Sequence, residues 1–222
     1  MSGISAIDRL DHMRETTSAA DFLPEKRGIE DLREAAEGCR GCDLYKTATQ
    51  TVFGAGLYQA HLMLVGEQPG DKEDLQGLPF VGPAGNLLFR ALEDLNLTRD
   101  RIYITNAVKH FKWQPRGKRR IHQTPRASEV RACLPWLEAE IDAVRPKLIA
   151  CLGATAVSAL LGDRARVTRD RRRVLESDYG PCLVTVHPSG LLRIDNEAER
   201  DAAYQAFVQD LRHGLDYLQR AG

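Results

Sequence analysis

No apolar run in this 222-residue chain approaches the roughly 18 residues that a membrane-spanning helix needs. The opening stretch MSGISAIDRLDHMRETTSAADF is too polar for a secretory signal, so the expected compartment is the cytoplasm, with no membrane partner. Net charge is also missing: 31 basic residues cancel 31 acidic ones, and the total points to no class of partner. No repeat, low-complexity tract or interdomain linker is visible, so the chain reads as one domain. Cysteines are few and odd in number: Cys39, Cys42, Cys133, Cys151 and Cys182. An odd set in a reducing compartment argues against a disulfide framework.

Hydrophobic residues make up 43% and charged residues 28%, an ordinary globular balance in a chain long enough to bury a core. Residues 1–27 are expected to be loosely ordered, and 28–222 to form the single domain. HLMLVG (61–66), RIYITNAV (101–108), PKLIACLG (146–153) and PCLVTV (181–186) read as strands. Their nearly continuous hydrophobicity suits a parallel sheet covered on both faces. Helical periods lie between them, over 84–95, 130–144 and 154–161, and a last helix carries Phe207, Leu211, Leu215 and Leu218 on one stripe. Pro135 is expected to kink or divide the second of these. The pattern predicts a three-layer α/β/α domain around a mainly parallel, four-stranded sheet. In such sheets the site lies beyond the carboxyl ends of the strands.

Charge cancels in total but is concentrated locally. Residues 109–128 hold seven Lys/Arg and no acid, and 164–173 hold six Arg against one Asp. One such run is ordinarily solvated surface, whereas two in a neutral protein point towards a phosphate-rich ligand. The C-x-x-C pair Cys39–Cys42 suits either a metal or a redox couple. A redox couple is expected at a strand-to-helix turn; here a polar helical stretch precedes the pair and a loop follows, which favours metal.

The motifs that carry chemistry fall at strand ends. Strand 61–66 runs into GEQPGD, a tight turn that delivers Glu67 at the strand tip. LQGLPFVGPAGNLL (75–88) is rich in glycine and proline, holds Phe80 as a planar stacking candidate, and opens a helix. Asn106, in TNAVKH, can donate and accept at once and so can read a pyrimidine edge. His187, in TVHPSG, sits on the same sheet edge ahead of Ser189, which reads as a helix cap.

GEQPG, LPFVGPAG, TNAVK, the ACLPWLEAEI–PKLIACLGATA block and VHPS, in this order over about residues 35–195, resemble the family 4 uracil-DNA glycosylases. The resemblance implies a [4Fe–4S] cluster on Cys39, Cys42 and Cys133, with His110 at the fourth matching position, where the family carries cysteine. Histidine replaces cysteine in Rieske-type centres. Cys151 is the rival fourth ligand, and zinc is the alternative on ligand type alone. A second departure is the inserted FKWQPRGKRRIHQTP (111–125), whose KRRIH string resembles the loop of the UdgX-type branch. That branch forms a covalent complex with uracil-containing DNA through a loop histidine, which His122 matches.

The implied partner is uracil-containing DNA, single-stranded or with its base flipped out, bound by a monomer. Uracil would lie among Phe80, Asn106 and the Gly66, Gln68 and Asp71 turn, with Lys118, Arg119 and Arg120 as the DNA-binding loop. His187 would stabilise the uracil anion, Glu67 the sugar cation, and His122 would attack C1′. Two alternatives stay open: a conventional glycosylase that turns over, and a non-catalytic iron–sulfur protein that binds nucleic acid.

Overall fold

The computed structural model describes residues 17–221. In chain order its elements are α1 (Ile29–Glu37), β1 (Ala55–Gly56), β2 (Leu62–Gly66), α2 (Asp71–Gln76), α3 (Pro83–Glu93), β3 (Ile102–Asn106), β4 (Trp113–Arg116), β5 (Arg119–His122), α4 (Ala127–Val144), β6 (Leu148–Leu152), α5 (Ala154–Leu161), α6 (Val167–Asp170), β7 (Val174–Ser177), β8 (Gly180–Thr185), α7 (Pro188–Leu191) and α8 (Glu197–Ala221). The main sheet runs β1-β3-β2-β6-β8-β7. Its four inner strands are the apolar runs read from the sequence, and they are mutually parallel. The sheet has six strands rather than four, because β1 and β7 add antiparallel edges. β1 is two residues long, too short to carry a period, and β7 lies against the arginine run.

Alternation along each inner strand divides the core between two faces. Met63, Val65, Tyr103, Ile149, Cys151 and Val184 pack with Leu137 and Ile141 of α4 and Val157 and Leu160 of α5. Leu62, Leu64, Ile104, Ala150 and Leu183 pack with Leu88 and Leu92 of α3 and Phe207 and Leu211 of α8. β2 lies between β3, which follows it in the chain, and β6, which comes later. The strand order reverses between β2 and β6, and that reversal opens a crevice at their carboxyl ends.

Three local expectations change. Pro135 sits inside α4 without dividing it. The hydrogen bond it removes is the one to the carbonyl of Arg131, an exposed residue where water can serve instead. Residues 111–125 hold an antiparallel ribbon, β4 paired with β5, closed by Gly117 in the left-handed region (φ 59°) and Lys118. Of the segment expected to be loose, residues 1–16 lie outside the described residues. From Thr17 on, a 3-10 turn at Ala19–Phe22 is capped by Ser18 and buries Ala19 against Leu32, Cys39 and Trp136.

The arginines of the second run are paired with carboxylates. Arg164 pairs with Asp178, Arg166 with Asp163, and Arg169 and Arg173 with Asp170. Arg171 and Arg172 both donate to the buried carboxylate of Asp210 on α8, at 2.6 and 3.1 Å, and Thr185 donates to it at 2.7 Å. Asp210→Ala should therefore cost about 1–3 kcal/mol, since the buried Thr185 hydroxyl loses its acceptor. Urea unfolding measures this, and an unchanged midpoint would contradict the assignment.

Candidate active site

The four parallel strands deliver Glu67, Asn106, Gly153 and His187 to one edge, where a cavity of about 660 Å³ is lined by Gln68, Asp71, Phe80, Asn106, His122 and His187 among others. Its inner wall is built by close approach. A Cβ on Gly66 would lie 2.4 Å from Asn106 Oδ1 and 2.6 Å from the Phe80 ring. Phe80 itself holds a left-handed backbone (φ 56°), unusual for a bulky residue. Gly85 makes room for it, since a Cβ there would meet the Phe80 carbonyl oxygen at 1.9 Å. Asn106 Oδ1 is buried and has no hydrogen-bond partner among the described residues. An orphaned buried acceptor is costly, and Asn106 lines the cavity.

His187 stands across the cavity, its ring centroid 5.9 Å from that of Phe80. Its Nδ1 accepts the backbone N–H of Ser189 at 3.2 Å, so the ring hydrogen of the neutral form sits on Nε2. His187, not Ser189, is thus the cap of α7. Burial pushes the imidazole down to about 4, against the pull of Glu67, so it is neutral at neutral pH and offers an N–H. Glu67 accepts from Thr155 Oγ1 at 2.5 Å and lies 3.3 Å from His122 Nε2. Burial alone would raise its pKa; the contacts with His122, Thr155 and His187 outweigh that and hold it below the usual carboxylate range.

The ribbon brings His122 to Glu67, and two residues read as ligand contacts prove to hold the ribbon. The Gln68 amide donates to the carbonyls of Lys112 and Gln123 at 3.2 and 2.9 Å and accepts the Lys112 N–H at 3.0 Å. It clasps both roots of the ribbon. Arg120 donates to Asp71 and Asp74 at 2.6 Å each and to Thr49 at 3.1 Å, with its guanidinium over Phe111 and Trp113. Its charge, and that of Asp71, is engaged within the protein. Lys109 and Lys112 are likewise paired, with Glu140 and Glu129. Arg116, Lys118 and Arg119 are exposed at the tip, and Arg119 also lines the cavity. Sequence reading missed Thr155, and it missed the second lobe of the crevice beyond His122, lined by Thr124, Gly153, Gly190 and Arg193. Glycine and serine at a strand end were the available signal.

Cys39 and Cys133 lie in a separate packed cluster with Trp136 and Val108, and Cys42 packs against it. Cys39 Sγ accepts the Trp136 indole N–H at 3.2 Å, and Cys133 Sγ accepts the Lys109 backbone N–H at 3.3 Å. Burial pushes the Cys133 thiol up to about 12, and neighbouring Cys42 and Cys39 add to it. His110 is buried, and its Nε2 lies 3.0 Å from Thr51 Oγ1. That hydroxyl already donates its hydrogen to the Ala36 carbonyl at 2.8 Å, so it accepts from His110 Nε2–H and leaves Nδ1 with a free lone pair. Cys151 packs in a different cluster, against Cys182. Among the described residues no group of three or more His, Cys, Asp and Glu is disposed to hold a metal ion.

With this geometry in place, comparison with known proteins is informative. The model of the uracil DNA glycosylase superfamily matches residues 53–212. The chain belongs to that superfamily. Among its relatives is a type-4 uracil-DNA glycosylase of Thermotoga maritima, 34% identical over 87% of this chain and 96% of that one. Those of Archaeoglobus fulgidus and Pyrobaculum aerophilum are each 36% identical, over 74% and 79% of this chain and 83% and 91% of theirs. The superfamily match includes every strand-end residue of the cavity, while Cys39 and Cys42 precede it.

The depressed His187 has a consequence for stability. An unfolded histidine takes its proton near pH 6.5, whereas the folded one does so only near 4. Between these values the unfolded chain binds the extra proton, so stability falls as pH drops through that window, by at most about 1.4 kcal/mol per pH unit from this group. His187→Gln should show a shallower acid loss of urea midpoint than wild type over that window; equal slopes would refute the assignment.

Proposed function

We propose that the protein is a uracil-DNA glycosylase that becomes covalently attached to the abasic sugar it creates. The observation that carries this reading is the 3.3 Å approach of His122 Nε2 to Glu67 Oε1 beside the orphaned Asn106 acceptor. Asn106 Oδ1 suits the N3–H of uracil, and Phe80 suits a base stacked on its ring. The Nε2–H of neutral His187 suits the negative charge that uracil develops as the C1′–N1 bond breaks. Glu67, ionised, faces the positive charge left on the sugar. A ring nitrogen of His122 then bonds to C1′ where water would otherwise add. The proton lost from the imidazole is balanced by the one uracil gains at N1. The exposed Arg116, Lys118 and Arg119 suit DNA phosphates. We expect a cytoplasmic monomer acting on single-stranded DNA or on a flipped-out base.

A [4Fe–4S] cluster on Cys39, Cys42, Cys133 and His110 belongs to the same proposal. What supports it is donor type rather than a gathered ligand set: Cys39, Cys42 and Cys133 share one packed cluster, Cys39 and Cys133 each accept an N–H, and Thr51 leaves the His110 Nδ1 lone pair free. These residues would hold the cluster as a structural pin between the N-terminal segment and the root of the ribbon. Purified protein should be brown and carry about four irons per chain, the content of a [4Fe–4S] centre. Colourless protein with a single zinc would overturn the assignment.

Incubation with uracil-containing DNA should give a species that survives denaturing electrophoresis and forms only as uracil is released. His122→Gly removes the attacking ring while leaving Glu67 and His187, so this variant should release uracil, leave abasic DNA and turn over. A denaturant-stable complex that persists in His122→Gly would show that another residue makes the bond. Released uracil with no such complex in wild type would favour the conventional glycosylase.

A further inference from the structure

We infer that Lys109 is a positioning residue for base recognition, acting through the peptide of Asn106; the inference rests on the uracil reading of the cavity. Lys109 and Glu140 form an ion pair at 2.5 Å with both side chains wholly buried. Nothing in the proposed chemistry uses them. The ammonium has three hydrogens, and all three are spent: on Glu140 Oε2, on Thr105 Oγ1 at 2.7 Å, and on the Asn106 carbonyl at 2.6 Å. Glu140 in turn accepts from Tyr103 Oη at 2.9 Å, from Thr105 and from the Gly54 N–H at 3.0 Å. The carboxylate is fully engaged by residues that fix where β3 ends.

A buried ion pair is weak grounds for stability, since apolar or neutral replacements of similar size often serve as well. Its placement here has a narrower effect. The Asn106 side chain holds a buried, unpartnered acceptor, and Asn106 lines the cavity. A peptide free to rotate would let that amide turn and find an internal donor. Three bonds prevent this. Lys109 fixes the Asn106 carbonyl, and the next two amides, Ala107 and Val108, donate to the carbonyls of Gly66 and Glu67 at 2.9 and 3.0 Å. The Lys109 backbone is itself held at both ends, its N–H on Cys133 Sγ and its carbonyl by the Val52 N–H at 2.8 Å.

The test is a double-mutant cycle on uracil release. Lys109→Met with Glu140→Gln removes both charges together and strands neither. This paired variant should keep a wild-type urea midpoint and wild-type affinity for uracil-free DNA. Its uracil release should fall by up to about 100-fold, the scale of a misplaced group beside the reacting centre. Its affinity for free uracil should fall with it, and Lys109→Arg, which keeps the charge, should recover part of both. In an Asn106→Ala background the paired change should have almost no further effect, because the group it positions is gone. A purely structural role would instead multiply its loss onto that of Asn106→Ala and lower the urea midpoint. Additive losses, or full activity in the paired variant, would overturn the inference. If the paired variant fails to fold, Lys109→Arg in the same cycle decides by the same criterion. Wild type that releases no uracil would overturn the cavity reading and this inference together, whereas active wild type with an additive cycle would overturn the inference alone.

Discussion

The contact between His122 and Glu67 joins two parts of the molecule that are otherwise built separately. Glu67 is fixed by the sheet, being the first residue after β2 at the point where the strand order reverses. His122 is fixed by a two-stranded ribbon that belongs to no sheet of the core. An isolated ribbon is marginal in water, so its position must come from elsewhere. Gln68 supplies it at the roots and Arg120 in the middle, both braced on the segment that follows Glu67. The same turn that presents the carboxylate thereby presents its partner.

Electrostatics at the crevice follow from how each group is enclosed. Glu67 and His187 are both enclosed there, and their environments push them towards complementary states. Glu67 stays charged because Thr155 and His122 contact it, and His187 stays neutral because it is enclosed and tied through Nδ1 to Ser189. Separating the states of neighbouring titratable groups in this way is what a bond cleavage that develops both charges requires. Behind this layer a second buried pair, Lys109 and Glu140, spends its charge on geometry. Cys133 meets that pair through the Lys109 backbone, whose N–H its sulfur accepts.

Much of this was legible in the sequence because the information is local. Unbroken apolar runs specify buried parallel strands whatever their neighbours do, and a polar residue directly after such a run must lie at the sheet edge. Glu67, Asn106 and His187 were placed at strand ends on that basis, and the structure brings them to one edge of the sheet, where His187 lines both lobes of the crevice. What stayed hidden depends on pairing across the fold. β1 and β7 are strands only because β3 and β8 offer them edges. The pairing of Arg171 and Arg172 was hidden because Asp210 lies far along the chain. The ribbon-holding bonds of Gln68 and Arg120 were hidden because their partners are 44 to 55 and 46 to 71 residues distant. The inserted basic segment was read as a loop because neither four-residue strand is long enough to show a period; Gly117 and Lys118 close it into a ribbon.

The central claim is that a ring nitrogen of His122 replaces the uracil nitrogen at C1′. Intact-mass measurement of the wild-type protein after reaction with one uracil-containing oligonucleotide tests it most directly, because the bond change fixes the mass. The account predicts a species equal to protein plus oligonucleotide less one molecule of uracil. Unmodified protein beside abasic oligonucleotide, or an adduct that still retains the base, would contradict it.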